Sequence, residues 1–224
     1  GSEMCIRDSY VPCVVSDPDE AVLEKESVFG QTFSYKGEEF AISLAGVYQK
    51  ENAVLALNAL EELDRLGWPT TMEQRKDGLL HTSWKGRFTV INKRPLFIVD
   101  GAHNAGAADK MAESVRHYFN GKKLIYIMGV FADKEYKIVL EKTAHFAEKI
   151  YTIETPDNPR ALPAEELAKA ARVYNSSAES TKSIKDAVEK AFSCAGDDEN
   201  SVILAFGSLS FIGALTNAVE EYVG

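Results

Sequence analysis

The run Asp100-Gly101-Ala102-His103-Asn104 places a carboxylate, an imidazole and an amide in one short stretch. A carboxylate there can accept hydrogen bonds from ribose hydroxyls, and an imidazole can donate to a phosphate or carboxylate. The plainer alternative is a turn cap beside a surface histidine. The flanking residues show where the stretch lies. Leu96 to Val99 form a short apolar run of the kind a buried strand shows. Gly101 permits a tight turn and Asn104 is a good N-cap. Met111, Val115 and Phe119 then recur at i, i+4 and i+8, as on one helix face. The stretch therefore lies between the carboxyl end of a strand and the amino end of a helix, where open α/β sheets bind ligands. The helix end adds free N–H groups and a positive dipole suited to an anion. As a loop carboxylate, Asp100 is expected to face solvent and to contribute little to packing.

Five further residues add to this. Arg87 follows Gly86 at the end of a polar connection, and its planar guanidinium could clamp a phosphate; otherwise it is a solvated side chain. Asp133 and Lys134 close the run Met128-Gly129-Val130-Phe131-Ala132, either as a surface ion pair or as part of a site. Phe206-Gly207-Ser208-Leu209-Ser210 ends the last strand, and either serine could cap a helix while also touching a ligand. Parallel strands place their carboxyl ends together, so Asp100, His103, Asp133, Lys134, Ser208 and Ser210 are expected to share one crevice. Neither a Gly-x-Gly-x-x-Gly fingerprint nor a Gly-x-x-x-x-Gly-Lys-[Ser/Thr] phosphate loop occurs in the sequence.

The elements that must position these residues form two groups. Residues 1–9 read as a non-native leader, Gly1-Ser2 resembling the remnant of a cleaved tag. In residues 10–85 the pattern predicts a strand over Val11–Val15 and a hairpin of Thr32–Tyr35 with Glu39–Leu44 around Lys36-Gly37-Glu38. A helix running to Leu66 is expected to bury Val54, Leu57, Ala59, Leu60 and Leu63, and a shorter helix to cover Met72–Leu80. From residue 86 to 224 strands and helices alternate. The strands are Phe88–Ile91, Leu96–Val99, Leu124–Val130, Ile150–Ile153, Arg172–Tyr174 and Val202–Phe206. The helices are Ala107–Phe119, Lys137–Ala147, Ala164–Ala170, Ile184–Ala195 and Phe211–Tyr222. This alternation predicts an α/β, Rossmann-like, mostly parallel six-stranded sheet with flanking helices.

Composition limits the partners. The 224 residues are 45% apolar and 26% charged, as in ordinary globular chains. The formal charge is 25 − 34 = −9, which disfavours nucleic acid as a partner. Cys5, Cys13 and Cys194 are odd in number and widely spaced, so no disulfide or zinc framework is expected and a cytoplasmic location is. No apolar run approaches a membrane span, and no signal peptide is visible.

With these residues the chain resembles the folylpolyglutamate synthase/dihydrofolate synthase family of the Mur ligase superfamily. The resemblance runs from about Tyr10 onward. It is carried by Gly86-Arg87 with Asp100 to Asn104, and supported by Gly46 to Ala53, Asp133-Lys134, Thr155 to Leu162 and Gly207 to Ser210. It implies an ATP-dependent ligase that activates a folate or dihydropteroate carboxylate as an acyl phosphate, which the amine of glutamate attacks. Magnesium assists, with potassium as a monovalent cation. It further implies Asn52 near adenine, Arg87 on the ATP phosphates, Asp100 on the ribose, His103 near the γ-phosphate and glutamate as the catalytic group, and Ser208 and Ser210 near glutamate. No metal ligand is carried over. Residues 10–85 would be the C-terminal part of a central ATPase domain and 86–224 the glutamate-ligase domain. The phosphate loop and magnesium ligands would lie in an N-terminal part that these residues lack, so the chain is expected to be an inactive, monomeric piece of the ligase. Two departures stand out: Tyr48-Gln49 where the family reads His-Gln, and Ala105 where it has Pro. Another Mur-type amino-acid ligase, and a non-catalytic module binding a nucleotide or partner, are the competing readings.

Overall fold

A computed structural model describes residues 13–224. The leader, Tyr10 and the first two residues of the strand expected at Val11–Val15 lie outside that range. Cys13 to Val15 have no regular structure. The chain forms two compact units, one of residues 13–26, 30–43 and 48–82, the other of residues 27–29, 44–47 and 83–224.

The smaller unit holds a three-stranded sheet of β1 (Val22–Ser27), β2 (Gly30–Tyr35) and β3 (Glu38–Ile42), with helices α1 (Gln49–Arg65) and α2 (Met72–His81). β2 and β3 form the expected antiparallel hairpin. Lys36 and Gly37 both have positive φ, 50° and 83°, as the tightest hairpin turns require. Alternation puts Phe33, Tyr35, Phe40 and Ile42 on one face, packed with Ala53, Val54 and Leu57 of α1. Ala59 and Leu63, expected in this stripe, are exposed; the buried face turns instead through Ala53, Val54, Leu57 and Asn58. Asn58 is buried because its amide oxygen accepts the Tyr35 hydroxyl at 2.9 Å.

The larger unit is the six-stranded, mostly parallel sheet. Its strands are β4 (Thr89–Lys93), β5 (Leu96–Val99), β6 (Lys123–Met128), β7 (Lys149–Thr152), β8 (Ala178–Ser180) and β9 (Ser201–Phe206), in the order β4-β5-β9-β6-β7-β8. Only β4 runs antiparallel to its neighbour. The central strands are near-continuous apolar runs because both faces are covered. On one face α3 (Ala105–Phe119), α4 (Tyr136–Thr143) and α5 (Ala164–Arg172) pack against Ile98, Tyr126, Met128, Leu204 and Phe206. On the other, α6 (Ile184–Ala195) and α7 (Ile212–Val223) pack against Phe97, Val99, Ile125, Ile127 and Ala205.

One strand differs from expectation. Arg172 to Tyr174 do not form a strand: Arg172 ends α5, and the amides of Tyr174 and Asn175 both donate to the Ala171 carbonyl, closing the helix. The Leu167, Ala168 and Ala171 stripe holds this segment helical and overrides the β preference of Val173 and Tyr174. The edge strand is β8, whose three residues pair with β7.

The topology sets the site. β9 lies between β5 and β6, with Val99 opposite Ala205 and Met128 opposite Phe206. The chain leaves β5 for a helix on one face and leaves β9 for a helix on the other. Adjacent strands whose connections part in this way open a crevice at their carboxyl ends.

Candidate active site

The crevice is an open cavity of about 240 Å³ lined by His103, Phe131, Lys134, Arg160, Gly207, Ser208, Leu209 and Ser210. Residues distant in sequence meet there because β5, β6 and β9 end side by side. Gly207 makes the close approach possible. Its φ is +115°, and an added Cβ would stand 2.4 Å from the Gly129 carbonyl oxygen.

Asn104 caps α3, accepting the Ala107 amide at 2.9 Å, as its position predicts. The helix end is not free for an anion, however. The Glu135 carboxylate already accepts the Ala105 amide at 3.2 Å. His103 turns back on its own loop, Nδ1 lying 2.7 Å from the Gly101 carbonyl. Nδ1 must donate in that contact, which leaves Nε2 as the outward-facing nitrogen: an acceptor in the neutral ring, a donor in the imidazolium. Ser208 is buried at 6% exposure and Ser210 is exposed. Their hydroxyls lie 2.7 Å apart, and Ser208 Oγ also accepts the Ser210 amide, capping a short turn over Leu209–Phe211.

The opposite rim carries positive charge. Asp133 does not pair with Lys134 but with Arg160, whose Nε lies 3.3 Å from Oδ1 while Nη2 reaches Oδ2. Arg160 holds the Asp133 carboxyl below its usual range. The guanidinium also stacks 4.9 Å above Phe131. Its loop is tied to the β6 exit by Ala132 N–H to the Arg160 carbonyl at 2.8 Å and Leu162 N–H to the Val130 carbonyl at 3.0 Å. Lys134 makes no side-chain hydrogen bond or ion pair with any described residue, so its ammonium is available at the cavity. Arg160 is the residue that side-chain chemistry in the sequence missed. The Asp157-Asn158-Pro159 turn before it was the available signal, since such turns aim the next residue: Asp157 has φ 54° and Asn158 accepts the Arg160 amide at 3.0 Å.

Asp100 is not the solvent-facing carboxylate expected. It is 4% exposed. Oδ2 accepts the Phe88 amide at 2.9 Å and Oδ1 the Ala102 amide at 2.8 Å. Burial raises its pKa to about 6, against the lowering effect of those two amides and of Arg87 and His103 nearby. Parallel register explains the burial: β5 continues one residue past Val99, and the Asp100 amide bonds to Ala205 of β9 at 2.9 Å. Arg87 is exposed and its guanidinium has no hydrogen bond or ion pair with a described residue. Asn52 is exposed in the smaller unit, its amide donating to Gln49 at 3.1 Å; it is not among the residues that line this cavity.

Residues 86–209, more than half of the chain, match the family described as Mur ligase, glutamate ligase domain. The chain belongs to that family. It is 29% identical over 197 residues to the dihydrofolate synthase/folylpolyglutamate synthase of Bacillus subtilis, covering 85% of this chain and 45% of that protein. It is 29% identical over 141 residues to the folylpolyglutamate synthase of Lacticaseibacillus casei, covering 60% and 33%. Its fold matches the structure of Mycobacterium tuberculosis folylpolyglutamate synthase complexed with ADP and AMPPCP, with a TM-score of 0.73 at 23% identity, over 91% of this chain and 48% of that one. The matches thus span a third to a half of the length of these relatives. Among the described residues no group of three His, Cys, Asp or Glu side chains could hold a metal ion. They do not fit a magnesium site. Nor is any helix among them long and apolar enough to cross a membrane.

Proposed function

We propose that the larger unit is the amino-acid-accepting domain of an ATP-dependent ligase that adds glutamate to folate or dihydropteroate. One observation carries this: the cavity at the ends of β5, β6 and β9 gathers an imidazole, two cations and two hydroxyls, and its volume suits a small dicarboxylic amino acid. Lys134 and Arg160 supply charge for carboxylates, and Ser208 and Ser210 supply hydrogen bonds. His103 presents Nε2 to the reacting amine. In the reaction the glutamate nitrogen forms a bond to the acyl carbon, the carbon–oxygen bond to phosphate breaks, and phosphate leaves with the electron pair. His103 Nε2 takes the proton that the nitrogen loses. Arg87 holds the ATP phosphates and Asn52 lies against adenine. Residues 10–85 form the end of an ATPase domain. The ligase acts as a cytoplasmic monomer, with magnesium, and potassium where used, held by residues outside this chain.

Titration of the 224-residue chain with L-glutamate, followed by NMR, tests the reading. Millimolar L-glutamate should shift the signals of His103, Lys134, Ser208 and Ser210, and His103→Ala should weaken that binding. Equal shifts with glycine, or none at these residues, would defeat it. The same chain supplied with ATP, magnesium, folate and glutamate should form no amide above a protein-free blank, because it contains no phosphate loop. Amide formation above that blank would overturn this part.

A further inference from the structure

His103 and Lys134 line the same cavity from loops that the sheet keeps apart. His103 follows β5, Lys134 follows β6, and β9 lies between those strands. The two strands therefore stand roughly 10 Å apart, and the ladder does not join them directly. Glu135 bridges the gap. Its Oε2 accepts the amide of Ala105, the first residue of α3, at 3.2 Å. Its carbonyl accepts the amides of Ile138 and Val139 at 3.0 Å and 3.1 Å, and so opens α4. One residue thus joins the amino ends of both helices.

The bridge acts on its neighbour. The Lys134 amide donates to the Phe131 carbonyl at 3.1 Å, which fixes Lys134 on one side, and Glu135 fixes it on the other. Further along, Lys142 pairs with Asp109 and holds α4 against α3. The bond to Ala105 is particular to this chain. Proline, the family's residue at this position, has no N–H to donate. The local backbone would accept one. Ala105 is the first helical residue, where proline is favoured, and Asn104 before it is extended at φ −137° and ψ 170°.

We infer that Glu135 is a positioning residue, whose carboxylate tethers the turn after β6 to the first amide of α3 and so sets the spacing between the Lys134 ammonium and the His103 imidazole. This rests on the reading of the cavity as a glutamate site, and the test separates the two. Charge gives the tether a distinctive sign. A carboxylate beside the cavity repels a dicarboxylate ligand, so removing its charge alone would tighten binding. Removing a tether would weaken it.

Backbone relaxation and L-glutamate titration are followed by NMR on the 224-residue chain and on Glu135→Ala, Glu135→Gln, Ala105→Pro and the double variant Glu135→Ala/Ala105→Pro. In Glu135→Ala and in Ala105→Pro the Lys134 amide should become more mobile, while Ile125 and Tyr126 in β6 keep their order and the melting temperature does not fall. Glu135→Gln, which keeps an acceptor oxygen, should stay close to the unaltered chain. Glu135→Ala and Ala105→Pro should each weaken L-glutamate binding about threefold, and the double variant should bind no worse than the weaker of the two. Tighter binding by Glu135→Ala, or losses that multiply in the double variant, would mean that the carboxylate acts through its charge and not through the Ala105 amide, and would overturn the inference. A Lys134 amide that stays equally rigid in both single variants would overturn it too, as would mobility that rises throughout β6. If the unaltered chain takes up no L-glutamate, the reading of the cavity fails, and the order of the Lys134 amide still decides the tether.

Discussion

Asp100 and Asp133 stand at the same pole of the same sheet and are held in opposite ways. Asp100 is 4% exposed and its partners are two backbone amides. Asp133 has a side chain 53% exposed, and its partner is one arginine that is itself half exposed. Burial pushes the first carboxyl up to about 6; the guanidinium holds the second below its usual range. One wall of the crevice is thus built into the core and the other is assembled on the surface. The difference separates what the fold requires from what a ligand can rearrange. The Asp100 wall can change only by disturbing β5 and its neighbours. The Asp133–Arg160 pair can open without disturbing anything packed, and opening it frees a guanidinium for an incoming carboxylate.

The sharpest break of this contrast comes at Gly207, where the two walls meet. Gly207→Ala places a Cβ against the Gly129 carbonyl at a φ of +115°. It should destabilise the chain by about 4 kcal/mol, near the top of the range for a single backbone substitution. Urea denaturation will measure it. A loss within about 0.5 kcal/mol, the usual effect of a surface change, would mean that the junction is looser than its geometry.

The next effect isolates the buried wall by pH. The Asp100 carboxyl titrates near 6 in the folded chain and near 3.8 when exposed. Between those values the folded state keeps a proton that the unfolded state has released. Its contribution to stability is therefore full below about pH 3.8 and is lost as pH rises through about 6. The shift corresponds to about 3 kcal/mol. Asp100→Asn removes the titration, so the wild-type stability minus that of the variant should fall between pH 4 and pH 7. Parallel thermal or urea unfolding of both proteins across this range gives the curve. A difference that stays flat, or rises, contradicts the burial of the charge.

The smallest effect belongs to the other wall. Arg160→Ala should leave the melting temperature unchanged within error, because a half-exposed ion pair adds little to folding. The same substitution should weaken L-glutamate binding several-fold. Loss of stability with glutamate binding intact would make Arg160 a strut and remove it from the site.

Much of this was legible in the residues. Strand–helix alternation after Gly86 specifies the sheet, since apolar runs such as Leu96 to Val99 cannot be left in water. The convergence of His103, Lys134, Ser208 and Ser210 follows from parallel strands ending together. What escaped depends on long-range geometry. Asp100 reads as a loop residue because nothing local shows that β9 will pair with β5 and cover it. The Arg160–Asp133 pair joins two loops separated by a whole strand and helix, so spacing within either loop is silent about it. Val173 and Tyr174 mislead because their β preference is real but loses to the helical stripe that precedes them.

β9 has a consequence for how the molecule comes into being. The strand at the middle of the sheet is synthesised after all five of the others. Until it emerges, β5 with β4 and β6 with β7 and β8 can form only two separate half-sheets, each exposing a bare apolar edge. Such edges pair readily with other chains. The crevice is therefore assembled in the last step of sheet formation, and a nascent chain halted before Ser201 would be an aggregation hazard as well as an incomplete ligase domain.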